Sequence, residues 1–238
     1  MKVLSILKKI ALFTLIVGLL PFNYVYADGS TFEQEIYNQY AELKEQGVLA
    51  DDISFDHWLA FKKQEAELIE EFENSRELHK VYSGDLTKAT YQMQPGDVII
   101  TNGTSFGGIL GHAGIAISST SILHIAGPGK HPSVISIDSW NNEYLEESGD
   151  YTLIYRHSNS TVASQAAQWA NRTYRNSNAE YVISTDLFST NETYCSKLVW
   201  QAYYFGPSTP HATFPSLNIV NPYQLPNLID NLTAVKEF

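Results

Sequence analysis

GHAGIAI, residues 111–117, is the stretch on which the fold turns. Its alternation puts His112, Gly114 and Ala116 on one face of a strand and Ala113, Ile115 and Ile117 on the other. One face is therefore apolar, and the face that carries the histidine is lined by small residues. Runs of the same kind surround it. GDVIIT (96–101), ILHIA (122–126), VISID (134–138) and YTLIYR (151–156) are short, β-rich and separated by Gly, Pro, Ser and Asn clusters, which predicts an antiparallel sheet. Helical patterns follow in TVASQAAQWANRTY (161–174) and YCSKLVWQAYY (194–204). Strands followed by helices predict an α+β domain.

In ILHIA one face takes Ile122, His124 and Ala126, so His124 can share a surface with His112. A two-residue turn at Ser119-Thr120 would instead set His112 opposite Gly127. A bulge or a wider turn is needed to bring the two histidines together.

Upstream of the sheet the chain has a different character. Residues 1–27 read as a signal peptide: lysines precede an apolar run, Ile10–Leu20, and the small-residue site Val25-Tyr26-Ala27 ends it. The run is short for a membrane span, which needs roughly 20 apolar residues. The expectation is thus cleavage after Ala27, no stable membrane insertion thereafter, and a secreted or cell-wall-associated protein; an uncleaved anchor is the competing reading. Residues 28–80 hold 14 acidic and 5 basic side chains, against 12 and 7 in residues 81–238. In the acidic part Ser30-Thr31-Phe32-Glu33 fits a capping box. Phe32, Ile36, Tyr40 and Leu43 recur at helical spacing up to Gly47. A second helix is predicted from near Ser54, with Trp58, Phe61, Leu68 and Phe72 on one face and the glutamates of Glu65–Glu77 on a solvated one. This helical hairpin is read as a packing layer over a domain of residues 81–238; a pro-segment or a wall-targeting arm are the other readings.

Composition narrows the partners. Loss of Lys2, Lys8 and Lys9 takes the formal charge from −11 to −14. That excludes nucleic acid as a partner, because phosphate binding is driven by Lys and Arg. Cys195 is the only cysteine and so has no disulfide partner within an exported chain. It stands where the polar NETY (191–194) gives way to an apolar helix. Unpaired N–H groups and the helix dipole favour a thiolate there, and a nearby imidazole would lower the thiol pKa further below the free value of about 8.5.

The ordered motifs GDVI (96–99), GHAGIAI, a second histidine in the next strand, YCSKLVW (194–200) and NPYQL (221–225) resemble the circularly permuted NlpC/P60 group of papain-like hydrolases, in particular its YiiX/YebB-like branch. The resemblance covers about residues 90–225 and leaves the hairpin outside. It implies a papain-like α+β fold, an antiparallel sheet packed with helices, in which histidine precedes cysteine along the chain. It further implies Cys195 as nucleophile, His112 as general base, His124 as the third polar residue and the Cys195 N–H as an oxyanion donor. The same residue order is similar to that of lecithin:retinol acyltransferase relatives. Asp97 belongs to the motif but reads as a turn or capping aspartate. The function expected first is an exported cysteine hydrolase that cleaves an amide, in cell-wall peptide or a related substrate. A lipid acyl-ester hydrolase or acyltransferase with the same residues is the alternative. A zinc site formed by His112, His124 and Cys195, and a catalytically silent binding module, are two further readings. No cofactor or metal is expected, and the oligomeric state is left open.

Overall fold

A computed structural model describes residues 32–238 except Gly84 and Ala89, so the predicted signal peptide and the capping residues Ser30 and Thr31 lie outside the described residues. Two helices come first, α1 (Phe32–Glu45) and α2 (Phe55–Ser83). Gly47 closes α1 in the left-handed region at φ +69°, and Ser54 starts α2 by accepting the His57 N–H on its side chain, 3.2 Å away. The strands follow as β1 (Val98–Phe106), β2 (Ile109–Ala116), β3 (Ile122–His124) and β4 (Ser133–Ile135). Then come α3 (Ile137–Tyr144), β5 (Thr152–His157), α4 (Ser160–Tyr174), the short parallel pair β6 (Glu180–Tyr181) and β7 (Glu192–Thr193), α5 (Cys195–Phe205), a 3-10 turn over Pro222–Gln224, α6 (Leu225–Leu228) and β8 (Leu232–Glu237).

Among the described residues the main sheet has six strands in the order β4-β3-β2-β1-β5-β8, antiparallel throughout. Alternation divides its side chains into two cores. Val98, Ile100, Ala113, Ile115, Leu123 and Leu153 pack with Ala166 and Ala170 of α4, Leu198 and Val199 of α5, and Trp58, Phe61 and Phe72 of α2. On the other face Ile99, Ala116, Ile122 and Ile154 pack with Trp140 and Tyr144 of α3. The fold is thus α+β, an antiparallel sheet covered by helices with a helix pair in front of it.

Three sequence expectations need correction. The run VISID is a strand only as far as Ile135, because Ser136 accepts the Ser139 N–H at 3.0 Å and caps α3 instead. The helices do not simply follow the strands, since β8 returns to pair with β5 at the end of the chain. Glu65 is buried rather than solvated, being 1% exposed. Its position explains this, for 58, 61, 65, 68 and 72 form one continuous helical stripe. Its carboxylate pairs with Lys62, accepts the Leu110 N–H at 2.8 Å and accepts the Asn221 side-chain amide at 3.0 Å. Lys62 in turn donates to the Gly108 carbonyl at 2.8 Å. Burial pushes the Glu65 pKa up, while Lys62 and the two N–H donors pull the other way. Further along α2, Arg76 donates to Glu237 of β8 at 2.6 Å.

The helix pair is therefore expected to carry part of the stability of the whole domain. Trp58→Ala should lower it by about 3–5 kcal/mol. Glu65→Ala should do so by a similar amount, roughly 3–5 kcal/mol, because it strands a buried lysine. Urea denaturation of the sheet, followed by far-UV circular dichroism, measures both. Unchanged midpoints would make residues 28–80 an appendage.

Candidate active site

The register of β2 on β3 decides whether two histidines meet. Ile115 pairs with Leu123 and Ala116 with Ile122, while the Ile117 N–H donates to the Ser121 carbonyl at 2.9 Å across a turn of Ser118, Ser119 and Thr120. This turn is one residue wider than a two-residue hairpin. One step further along the ladder brings His124 level with Gly114, and so diagonal to His112 on the same face. His112 Nε2 then lies 2.9 Å from His124 Nδ1, and His124 Nε2 lies 3.4 Å from Ser133 Oγ on β4.

Helix α3 roofs this pair. Trp140 stacks on the His112 ring, with centroids 5.1 Å apart and planes at 18°, and Tyr144, one helical turn on, packs against the same ring at 5.1 Å. The Trp140 indole is fixed by donating Nε1–H to Thr152 Oγ1 at 3.1 Å. Gly114 makes room for it, since a Cβ there would sit 2.7 Å from Ile122 Cγ2 and 3.0 Å from Trp140 Cζ3.

The thiol reaches the site from the other side of the sheet. Tyr194 is the N-cap of α5 and offers no side-chain cap, so the first-turn N–H groups of the helix face the region around Sγ. Tyr194 Oη accepts the Val220 N–H at 2.9 Å and Ser196 Oγ donates to the Val220 carbonyl at 2.7 Å, which pins the helix start to the chain before NPYQL. The N–H groups of Ala113, Ser196 and Cys195 act on Sγ, and Ala113 directly follows His112. Ionised, the thiol would also be felt by Tyr144, the residue that packs on His112. Cys195 Sγ thus lies at the backbone of the residue that follows His112.

Burial governs the electrostatics. Cys195, His112 and His124 are 1%, 0% and 1% exposed. Desolvation pushes the Cys195 thiol up, against the N–H and Ser196 hydroxyl contacts that would lower it. It also holds His112 well below the ordinary imidazole value, with His124 adding to the effect, and pushes His124 down to about 4. Burial thus acts against the stabilised thiolate that the sequence suggests. Burial favours a neutral thiol and neutral imidazoles at the resting site.

Sequence reasoning missed Trp140 and Tyr144, although Ser136 and Ser139 carried the signal of a helix start. Asp97 has the structural role that its position suggested. It is buried, held by Arg156 Nε and Nη2 at 2.7 Å each, by Tyr91 Oη at 3.0 Å and by the Gln94 N–H at 2.8 Å. His57 and His131 contact backbone carbonyls of Leu217 and Ala179, at 2.8 and 3.0 Å, away from the thiol.

Comparison with known proteins adds three findings. Residues 68–237 match the family described as lipoprotein N-acylation protein, LnsA-like; the match begins inside α2 and includes Cys195, His112 and His124. A protein of Bacillus thuringiensis described as an uncharacterized 30.3 kDa protein is 38% identical over 152 residues, which make up 60% of this chain and 55% of that one. The chain thus spans about half the length of this relative. Among solved structures, the metalloprotein YiiX of Escherichia coli O157:H7 aligns at 16% identity with a TM-score of 0.44, over 62% of this chain and 99% of that one.

Two measurements follow from the buried neutral site. Iodoacetamide should label Cys195 in the folded protein at least about tenfold more slowly at pH 7 than in urea, with the rate rising only above the ordinary thiol range of about 8.5. The histidines predict the pH dependence of stability. An unfolded chain protonates His112 and His124 as the pH drops through about 6.5, whereas the folded chain resists, so stability is present above that pH and is lost as pH falls toward about 4. His124→Asn should flatten the urea midpoint across that window. A midpoint as steep as in the wild type would mean that His124 titrates like an exposed histidine.

Proposed function

We propose, because the chain belongs to the LnsA-like lipoprotein N-acylation family, that it is an acyl-transfer enzyme of the cell envelope with Cys195 as its nucleophile. This reverses the order of the sequence expectations, in which hydrolysis of wall peptide came first and lipid acyl transfer second. The observation that carries the reading is the burial of the thiol and both imidazoles. An acyl-enzyme surrounded by water is hydrolysed, whereas one formed in a dry site survives until an amine reaches it.

In the first half-reaction Cys195 Sγ attacks the carbonyl carbon of a lipid acyl ester while His112 takes the thiol proton. The ester C–O bond breaks, and His112 returns the proton to the departing alcohol, leaving a thioester. In the second, the α-amino group of a lipoprotein attacks the thioester carbonyl and gives its proton to His112. The C–S bond breaks and the proton returns to sulfur. First-turn N–H groups of α5 are aimed to hold the oxyanion in both steps. The bond between His112 Nε2 and His124 Nδ1 orients the ring so that Nδ1 is the nitrogen turned away from His124. Among the described residues no helix is long and apolar enough to cross a membrane.

Incubation of the purified chain with phospholipid vesicles should add one acyl mass to Cys195, removable by hydroxylamine. Addition of a diacylated lipopeptide with a free α-amine should clear the adduct and yield the N-acyl product. Cys195→Ala should abolish both steps, and His112→Ala should slow them by roughly 10²–10⁴. Release of free fatty acid without N-acyl product, or an adduct formed only from wall digests, would restore the hydrolase reading.

A further inference from the structure

His157, His211 and Asp230 bring three ligand atoms within 4.8 Å of one another, the one such group of histidine, cysteine and carboxylate side chains among the described residues. None of them takes part in the proposed acyl transfer. They come from three separate segments, for His157 ends β5, His211 lies in the loop after α5, and Asp230 lies just before β8. The α5 helix, about 15 Å long at 1.5 Å per residue, separates this loop from the thiol at its other end.

Backbone hydrogen bonds set the three side chains before any ligand arrives. His157 pairs with Leu232 in the sheet, and the Ser158 N–H donates to the Asn231 carbonyl at 3.0 Å. The Asp230 N–H donates to the His211 carbonyl at 3.2 Å, next to a bridge between Ala212 and Ile229, and the His211 N–H donates to the Tyr203 carbonyl at 3.1 Å. On this frame His157 Nε2 is 3.0 Å from Asp230 Oδ1, and His211 Nδ1 is 2.9 Å from Oδ1 and 3.1 Å from Oδ2.

We propose that His157 Nε2, His211 Nδ1 and Asp230 bind one divalent zinc ion. Tetrahedral zinc with ligand bonds of about 2.0–2.2 Å separates its ligand atoms by roughly 3.3 Å, a few tenths of an ångström more than the two nitrogen–oxygen spacings of 3.0 and 2.9 Å, and all three ligand atoms lie within 4.8 Å of one another. Small side-chain rotations bring the three atoms to that spacing. The carboxylate then exchanges two imidazole N–H donors for the metal, and each ring loses a proton or changes tautomer. His157 has the partner for this, because its Nδ1 lies 3.2 Å from the Asn159 carbonyl, which accepts an N–H when Nε2 binds metal. The Asn159 N–H, 3.0 Å from the same atom, favours the other tautomer, so the ion must select between them. Two imidazoles and one carboxylate favour zinc over calcium or magnesium, which prefer oxygen ligands. Asp230 is 52% exposed, so the fourth position opens to solvent and takes water. The ion would tie β5, β8 and the loop after α5 together, which makes its role structural.

The test uses the full mature chain, stripped with a chelator. Competition against a chromogenic chelator should show one equivalent of zinc bound, cobalt should give the visible spectrum of a tetrahedral site, and zinc should raise the unfolding temperature. His211→Ala and Asp230→Asn, both at partly exposed side chains, should fold without metal, bind zinc at least tenfold more weakly and lose the zinc-dependent rise. Cys195→Ala should bind like the wild type. Absence of saturable binding, or full affinity in both ligand variants, overturns the proposal. Loss of binding in Cys195→Ala would do so too, by moving the metal to the thiol and the two histidines beside it.

Discussion

A single buried carboxylate holds the site's two halves in place. Glu65 reaches from α2 to the Leu110 N–H, two residues before His112, and to the side chain of Asn221, whose own Oδ1 accepts the Tyr223 N–H at 2.9 Å. Tyr223 lies against Gly111, where φ is +76° and a Cβ would come within 2.8 Å of the tyrosine ring. The strand that presents the imidazole and the turn that follows the thiol-bearing helix are thus both fastened to the N-terminal helix pair. A carboxylate can do this inside a core only because Lys62 and the N–H donors satisfy it; unpaired, it would be among the most destabilising groups in the molecule.

Much of this was legible in the chain. Period-two runs located β1, β2, β3 and β5, and period-3.6 runs located α2, α4 and α5, because each element has one face against a core. The stripe through Trp58 and Phe72 announced the helix pair, and Glu65 sits on that stripe. Charge alone hid its burial, since only the partners Leu110 and Asn221, distant in sequence, make a buried carboxylate tolerable. Strand β8 was hidden for a different reason. LTAVKE ends in a lysine and a glutamate, as suits an edge strand, and its apolar alternation is weak. The approach of His124 to His112 depended on a turn of three residues rather than two, and serines and threonine in that turn favour neither.

The chemistry was the least legible part. Motif order brought Cys195, His112 and His124 into one list, but the protonation states come from what surrounds them. A helix start and a neighbouring imidazole argue for a thiolate; the full burial of Cys195 argues against it, and burial is the larger effect. A neutral pair fits the proposed acyl transfer, because charge separation is needed only when a carbonyl is present to receive it.

The row formed by His112, His124 and Ser133 crosses β2, β3 and β4 and ends at a side chain exposed to solvent. A neutral imidazole has one nitrogen that donates and one that accepts, so the bond between the two rings couples their tautomers and neither can change alone. The hydrogen on an exposed hydroxyl at the rim is thereby tied to the tautomer of an imidazole two strands away.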